Sequence, residues 1–317
     1  MNDITVVVST LGREDNVKKI INNLEEQNLP IDLVIINAST IKLSKEYFEK
    51  ISICSPVINL NVIEEPGCSL ALARKLGVNK SNANYVCFVD DDIELPNNYL
   101  VNAKLFLDGH DSYDGVGGIY DDKITKNRSF IKRAISRVFG LTGNCFSNMV
   151  KRNSWPDKPL GDYKNIDTDA SWLYGCNGVF RRKIFSNNII ETSLHGWSFL
   201  EDVIMGYRAC ELFGSKFKLL NSLRVYHSGE ETSGAISPIT IKMRILYRYI
   251  FWKEMNVNPT LLDKSLFNWS MLGNLILMQK QSFTLNTIKY VYLSHRYIMK
   301  NKDINWNDAN DFILKKS

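Results

Sequence analysis

The sequence predicts an α/β fold with a mainly parallel sheet flanked by helices, followed by a helical C-terminal region. Four short apolar runs predict buried strands, and they lie at residues 4–9, 32–36, 57–63 and 85–89. Between the first two runs, Val17, Ile20 and Leu24 recur at helical spacing. Strands that alternate with helices are typical of βαβ units and a parallel sheet. Further helical patterns lie at about 240–255, 260–280 and 285–300.

Charge and cysteine usage limit the classes of protein that fit. The 317 residues carry a net charge of +5, which is too small to indicate a nucleic-acid-binding protein. The six cysteines form no CxxC pair, which argues against a zinc knuckle or a secreted disulfide framework. The chain begins without the pattern of a signal peptide, and its most apolar stretch, residues 265–279, is shorter than the ~20 residues of a spanning helix. We therefore expect a cytoplasmic protein.

Polar side chains stand where three predicted strands end. Thr10 follows the first strand, Asn37 the second, and Asp90-Asp91-Asp92 the fourth. Because ligands of open α/β sheets bind outside the carboxyl ends of the strands, we expect these loops to form one site.

Three adjacent carboxylates at the end of an apolar strand are the sharpest local signal. Asp90, Asp91 and Asp92 repel one another, and a divalent cation relieves that repulsion. Such a cation would also neutralise the charge that develops on a diphosphate leaving group. The alternative is a solvated acidic turn ahead of the next helix.

Other candidates are weaker when taken singly. Glu201 and Asp202 open a predicted helix, where acidic residues are favoured by the helix dipole, but Asp202 also suits a general base. His227 ends a strand and Arg74 follows a Gly-containing loop. His227 could contact a metal or have a purely structural role. Arg74 could contact a phosphate or be a solvated surface charge.

The motifs occur in the order found in one protein family. ITVVVSTLGRED, LVIINAST and ALARKLGVNKSNANYVCFVDDDIEL are similar to its first two strands with their nucleotide loops, and to its ARNxG helix with the DxD strand. WLYGCNGVFRRKIF, GWSFLEDVIMGYRACELFG and LRVYHS are similar to its GGN segment, its ED helix and its closing strand. Over residues 4–228 the chain thus resembles family 2 of the inverting glycosyltransferases with the GT-A fold. Each motif alone is weak, but the joint order is specific.

The resemblance implies a role for each matching residue. The nucleotide-binding residues would be Thr10, Leu11, Arg13, Asn37, Arg74, Asp90 and Asp91. Asp92 and His227 would hold Mn²⁺ or Mg²⁺, and Asp202 would be the general base. The donor or acceptor sugar would meet Trp172, Gly175, Cys176, Asn177, Trp197 and Glu201.

The resemblance also implies the partners: a nucleotide sugar donor and a saccharide or lipid-linked saccharide acceptor. The family usually has Asp where this chain has Asn37, so dTDP and GDP stay open beside UDP, which we expect first. The composition, low in Pro and high in Asn, Lys and Ile, suggests a bacterial surface-polysaccharide enzyme by association. The alternatives are a nucleotidyltransferase, whose Gly-rich loop STLGRED lacks, and a catalytically silent binding protein, which loss of Asp92 or Asp202 would favour.

We expect a catalytic domain in residues 1–237 and a helical region in residues 238–317. Within the catalytic domain, residues 1–120 would bind the nucleotide, and residues 121–237 would carry the acceptor and catalytic half. The segment SGEETSGAIS, residues 228–237, is small and polar and predicts either a lid over the donor or an exposed linker.

The basic excess of the chain falls in its C-terminal region, where 12 Lys and Arg face 5 Asp and Glu. TIKMRILYRYIFWKEM, within that region, alternates basic with aromatic residues, which predicts docking on an anionic membrane surface at the inner face of the cell membrane. The alternative is that these side chains pack inside the protein, since they form no single apolar stripe.

Overall fold

The computed structural model describes residues 2–121, 130–142, 146–159, 165–227, 237–281 and 285–315. Contacts between residues divide the chain into two compact units. One, the sheet unit, comprises Met1–Thr125 and Asp162–Glu230, and the other, the helical unit, comprises Lys126–Gly161 and Glu231–Ser317. Residues 126–161 thus group with the C-terminal helices. The assignment of residues 1–237 to a catalytic domain stays a prediction.

The described strands all belong to the sheet unit. They are β1 (Ile4–Thr10), β2 (Ile31–Asn37), β3 (Ile58–Glu64), β4 (Tyr85–Asp90), β5 (Ile93–Glu94), β6 (Gly115–Asp121), β7 (Thr168–Ala170), β8 (Val179–Arg181) and β9 (Phe217–His227). Within the described residues they form one sheet in the order β3-β2-β1-β4-β8-β6-β9-β5, with β7 paired to β9. Strands β1 to β4 are parallel to one another, and β6 is parallel to β9.

Helices cover the sheet and build the second unit. They are α1 (Glu14–Glu25), α2 (Lys45–Cys54), α3 (Leu70–Lys80), α4 (Tyr99–Gly109), α5 (Phe130–Val138), α6 (Glu201–Phe213), α7 (Pro238–Met255), α8 (Leu261–Gln281), α9 (Leu285–Lys300) and α10 (Trp306–Leu314). Helices α5 and α7 to α10 lie in the helical unit.

Strand β2 is buried at six of its seven positions because helices cover both of its faces. On one face Leu33 and Ile35 of β2 share a core cluster with Val17 of α1. On the other, Val34 and Ile36 pack with Ala73 of α3. Such two-sided burial is what continuous runs of Val and Ile predict. The predicted fold class is confirmed.

Strand β9 continues from Phe217 to His227 across the polar pair Asn221 and Ser222. Its register against β6 shifts between Gly118 and Tyr120. A Cβ at Gly118 would overlap the carbonyl group of Leu223, so glycine is required for this close approach.

Two of the basic side chains of α7, Lys242 and Arg248, do not form a membrane-facing surface, because both are engaged within the helical unit. Lys242 and Arg248 are only 3% and 5% exposed. The Lys242 amine donates to the carbonyls of Phe312 at 3.2 Å, Ile313 at 3.4 Å and Lys315 at 2.9 Å, at the end of α10. Helix α7 lies in the core of its unit, since 11 of its 18 residues are buried. Membrane docking stays a prediction without support from α7.

Arg248 shows the same inward packing. Its guanidinium donates to the carbonyl of Ser154 at 2.6 Å and lies 3.9 Å from the ring centre of Trp155.

Among the described residues, no helix combines the length and apolar character needed to cross a bilayer. The predicted lid lies outside the described residues except for Ser237, whose hydroxyl accepts a hydrogen bond from the backbone of Thr240 at the start of α7.

We predict that Lys242→Met lowers the free energy of unfolding of the helical unit by about 1.5–3 kcal/mol, the usual range for hydrogen bonds from a charged group. The substitution leaves the last carbonyls of α10 without their buried donor. Burial also lowers the pKa of Lys242, so the amine is held there at a desolvation cost that these bonds help to offset.

Urea unfolding of the full chain measures this effect. Lys253→Met, at a side chain that is one-third exposed (33%) and paired with Asp303, is the matched control and should cost less than about 1 kcal/mol. Equal losses for the two variants would contradict the capping role of Lys242.

Candidate active site

A buried arginine connects the end of β4 with the start of α6. Arg74 on α3 is 3% exposed, and its guanidinium donates to Asp90 at 2.9 Å and forms a close ion pair with Glu201. Arg74 thus holds two carboxylates of the site, and its predicted contact with the nucleotide stays a prediction. Its carbon Cζ also lies 5.5 Å from the ring centre of Phe88 on β4.

The loop before α6 fixes the position of α3. The hydroxyl of Ser198 accepts from the backbone of Ala71 at 3.1 Å, and the carbonyl of Gly196 accepts from Leu70 at 2.9 Å. The hydroxyl of Ser69 accepts from Leu72 at 3.2 Å as the N-terminal cap. These bonds satisfy amides that a helix start leaves without partners, and they hold Arg74 facing the site.

Gly175 packs directly against the ion pair. A Cβ at this position would lie 2.6 Å from Oε1 of Glu201 and would overlap the guanidinium of Arg74. Its backbone amide also donates to Oδ2 of Asp202 at 3.5 Å, and Oδ1 of Asp202 accepts from Val203 at 2.9 Å. Gly175 therefore leaves room for the Arg74–Glu201 pair and helps to orient Asp202.

Cys176 lies among the carboxylates of the site. Burial raises the pKa of its thiol well above the usual range, and the nearby charges of Asp90, Asp202 and Asp92 add to the rise, while Arg74 opposes it. The structure thus brings the end of β4, the Gly175–Asn177 loop and the start of α6 together, as the sequence predicted.

A second arginine faces the other two carboxylates of the triplet. The guanidinium of Arg13 donates to Asp91 through Nε at 3.0 Å and through a close Nη2 contact, and its Nη1 lies 3.6 Å from Asp92. The hydroxyl of Thr10 donates to Asp91 at 2.5 Å. Asp91 is 3% exposed, so these partners bind it inside the protein.

Burial has a second effect on Asp91. It raises the pKa of the carboxyl group to about 6, because the lost hydration outweighs the hydrogen bond from Thr10 and the charge of Arg13, which lower it. The adjacent Asp92 contributes a further rise.

Asn37 serves the loop that follows β2. It is fully buried, and its side-chain amide donates to the carbonyl of Ile41 and to the carboxylate of Glu64, both at 2.7 Å. Glu64 also accepts from the backbone of Leu43 at 3.2 Å. Sequence reasoning missed Glu64, although it ends the third parallel strand and stands beside Asn37 in the register. Leu11, in the loop after β1, is 67% exposed.

Two of the predicted sugar contacts, Trp172 and Asn177, are buried in the structure. Trp172 is 1% exposed and packs edge-on against Tyr174. Asn177 is fully buried and donates to the carbonyl of Gly118 at 3.1 Å, which ties its loop to β6. Trp197 is partly buried in the loop before α6.

The two predicted metal ligands are Asp92 and His227. Strand pairing places His227 opposite Ile93, next to Asp92, but its side chain lies outside the described residues. Within the described part of the chain, no three His, Cys, Asp or Glu side chains form a metal-binding group. Mg²⁺ and similar ions are commonly held by one or two carboxylates together with substrate phosphates, and Asp92 fits that kind of site.

A mainly parallel sheet with carboxylates gathered at the end of β4 and the start of α6 has the GT-A fold, and the protein is a glycosyltransferase. The chain belongs to glycosyl transferase family 2, whose sequence model matches residues 5–188, more than half of its length. A comparison with curated protein sequences finds no match.

Three of the solved structures that resemble this chain illustrate the fold. Mannosyltransferase PcManGT from Pyrobaculum calidifontis, in complex with GDP-Man and Mn²⁺, is 11% identical with a TM-score of 0.54, over 99% of this chain and 85% of that one. S. aureus TarS 1–349 is 12% identical with a TM-score of 0.53, over 98% and 89%. GalNAc-T7 with UDP, GalNAc and Mn²⁺ is 13% identical with a TM-score of 0.53, over 86% and 55%.

We predict that Gly175→Ala destabilises the sheet unit by about 2 kcal/mol or more, because the added methyl group overlaps the buried Arg74–Glu201 pair. Chemical denaturation measures the loss. Gly109→Ala is the matched control, since a Cβ there meets nothing within 4 Å. Comparable stability of the two variants would show that the ion pair tolerates the methyl group.

We predict that the contribution of Asp91 to stability falls as the pH rises from about 4 to about 6. A folded pKa near 6, above the ordinary value of 3.8, means that the folded protein keeps a proton that the unfolded chain has released. The contribution is therefore complete below the unfolded pKa and is lost as the pH rises through the folded one.

Relative to Asp91→Asn, the stability of the wild type should fall by up to roughly 3 kcal/mol across this range. Urea unfolding at several pH values gives the difference. Asp111→Asn, which removes a carboxylate from a side chain that is 97% exposed, is the control. A difference that stays constant, or grows with pH, would contradict the raised pKa.

Proposed function

We propose that the protein transfers a sugar from a nucleoside diphosphate to an acceptor hydroxyl, with inversion at the anomeric carbon. The observation that carries this proposal is the link made by Arg74. It holds Asp90, from the acidic triplet, and Glu201, the neighbour of Asp202, on one guanidinium. A leaving-group site and a base must lie close together for an in-line displacement, and this link supports that arrangement.

Asp202 is proposed as the general base. The acceptor oxygen attacks the anomeric carbon, its proton passes to the Asp202 carboxylate, and the bond from the anomeric carbon to the diphosphate oxygen breaks. Backbone amides of Gly175 and Val203 donate to this carboxylate and orient it. A positioned base typically contributes ~10²–10⁴-fold to the rate.

The donor is proposed to be a UDP-sugar, with dTDP and GDP sugars as alternatives. PcManGT was solved with GDP-Man and GalNAc-T7 with UDP, so related folds accept either nucleotide. Thr10, Arg13 and the loop around Asn37 lie at the carboxyl ends of β1 and β2, where α/β sheets bind ligands. The acceptor is proposed to be a saccharide or a lipid-linked saccharide.

Asp92 is proposed to hold Mn²⁺ or Mg²⁺ together with His227. Such an ion neutralises charge on a departing diphosphate. PcManGT and GalNAc-T7 were both solved with Mn²⁺, which supports this choice. The five described cysteines are free, which agrees with the proposed cytoplasmic location.

A panel of UDP-, dTDP- and GDP-sugars, incubated with the purified protein and Mn²⁺, tests the function through the nucleotide released. We predict release from one class of donor and loss of release in excess chelator. Asp202→Asn should lower turnover at least about 10²-fold while calorimetry shows donor affinity nearly unchanged.

Glu211→Gln, at an exposed carboxylate on the same helix α6, is the matched control and should keep full turnover. Loss of donor affinity in Asp202→Asn would make Asp202 a binding residue. Absence of release with every donor would favour the catalytically silent binding protein.

A further inference from the structure

Two arginines neutralise much of the charge on the acidic triplet. Arg74 pairs with Asp90, and Arg13 contacts both Asp91 and Asp92. The mutual repulsion that predicted a metal at this strand end is therefore relieved in part by the protein itself.

Arg13 is the cation nearest to the proposed metal ligand in the contacts described. Its Nη1 lies 3.6 Å from Oδ2 of Asp92, a side chain that is only 9% exposed. Two hydrogen bonds to Asp91 and a backbone bond to the Thr10 hydroxyl at 3.2 Å hold the start of α1 and its arginine against the triplet. A divalent ion at Asp92 must come close to this positive charge, and like charges at such distances repel strongly where water is partly excluded.

From this geometry we propose that Arg13 is a positioning residue that keeps divalent metal affinity low in the nucleotide-free protein, so that the metal binds together with the diphosphate. The inference rests on the proposed function, which supplies a diphosphate whose negative charge offsets the guanidinium. Ligands that each improve binding of the other have a reciprocal coupling free energy.

Arg13→Gln tests the charge of Arg13, because glutamine removes the charge and keeps an amide donor that can reach toward Asp91. Calorimetry with Mn²⁺ on the nucleotide-free protein should show affinity at least about tenfold higher than in the wild type. Arg13→Lys keeps the charge and should match the wild type. Lys18→Gln removes the same charge from the surface of α1, where Lys18 pairs with Glu14, and should have little effect.

Loss of Arg13 leaves Asp91 as a buried carboxylate, which could unfold the single variant. The same substitution in an Asp91→Asn background avoids this problem, since no buried charge is then left without its partner. Comparing Arg13→Gln/Asp91→Asn with Asp91→Asn should again show about tenfold tighter Mn²⁺ binding.

Addition of UDP separates this role from a purely structural one. UDP should raise the Mn²⁺ affinity of the wild type strongly, because the diphosphate offsets the positive charge of Arg13. The rise should be clearly smaller in Arg13→Gln, because that charge has already been removed. Unchanged Mn²⁺ affinity on removal of Arg13 in both backgrounds would overturn the inference, even if sugar transfer is observed. Tighter Mn²⁺ binding without any transfer from the donor panel would instead overturn the proposed function alone.

Discussion

The buried guanidinium of Arg74 is the interaction on which the arrangement of the site depends. It is nearly inaccessible to solvent and holds Asp90 and Glu201, from elements that are 111 residues apart in the sequence. Removing one partner of a buried ion pair typically costs about 3–5 kcal/mol, since an uncompensated charge remains. The pair therefore constrains its surroundings: the residue beside it must be Gly175, and helix α3 must start where the loop before α6 satisfies its amides.

A similar constraint shapes the acidic triplet. Three consecutive carboxylates are tolerated at one strand end because two arginines pair with them. Arg74 lies within α3, and Arg13 directly precedes α1. Asp91 anchors the loop after β1, and Asp92 is the proposed metal ligand. Three identical residues in a row thus differ in their surroundings, through burial and through the cation that each one meets.

The helical unit also buries charged side chains. Basic residues such as Lys242 and Arg248 are usually found at a protein surface, yet both donate to backbone carbonyls in the interior of the unit. Long basic side chains can bury their apolar stems while the charged end meets carbonyls, so a basic and aromatic segment can form a core. Nothing local in the segment separates that outcome from a membrane-facing helix.

The sequence by itself determined the four parallel strands β1 to β4 and the edge of the sheet where they end. Runs of Val and Ile can be buried only in a sheet covered on both faces, and parallel strands must place Thr10, Asn37 and Asp90 at one edge. The order of motifs also identified the family. These features depend on local pattern and chain direction, which a sequence displays directly.

Only the tertiary structure decided which polar groups satisfy one another. The pairing of Asn37 with Glu64, the burial of Trp172 and the packing of Gly175 on the Arg74–Glu201 pair all join residues that are distant in the chain. Their energies come from desolvation and short-range geometry, so the identity of each residue says little until its neighbours are known. For that reason the sequence located the site, while the fold decided what each side chain does there.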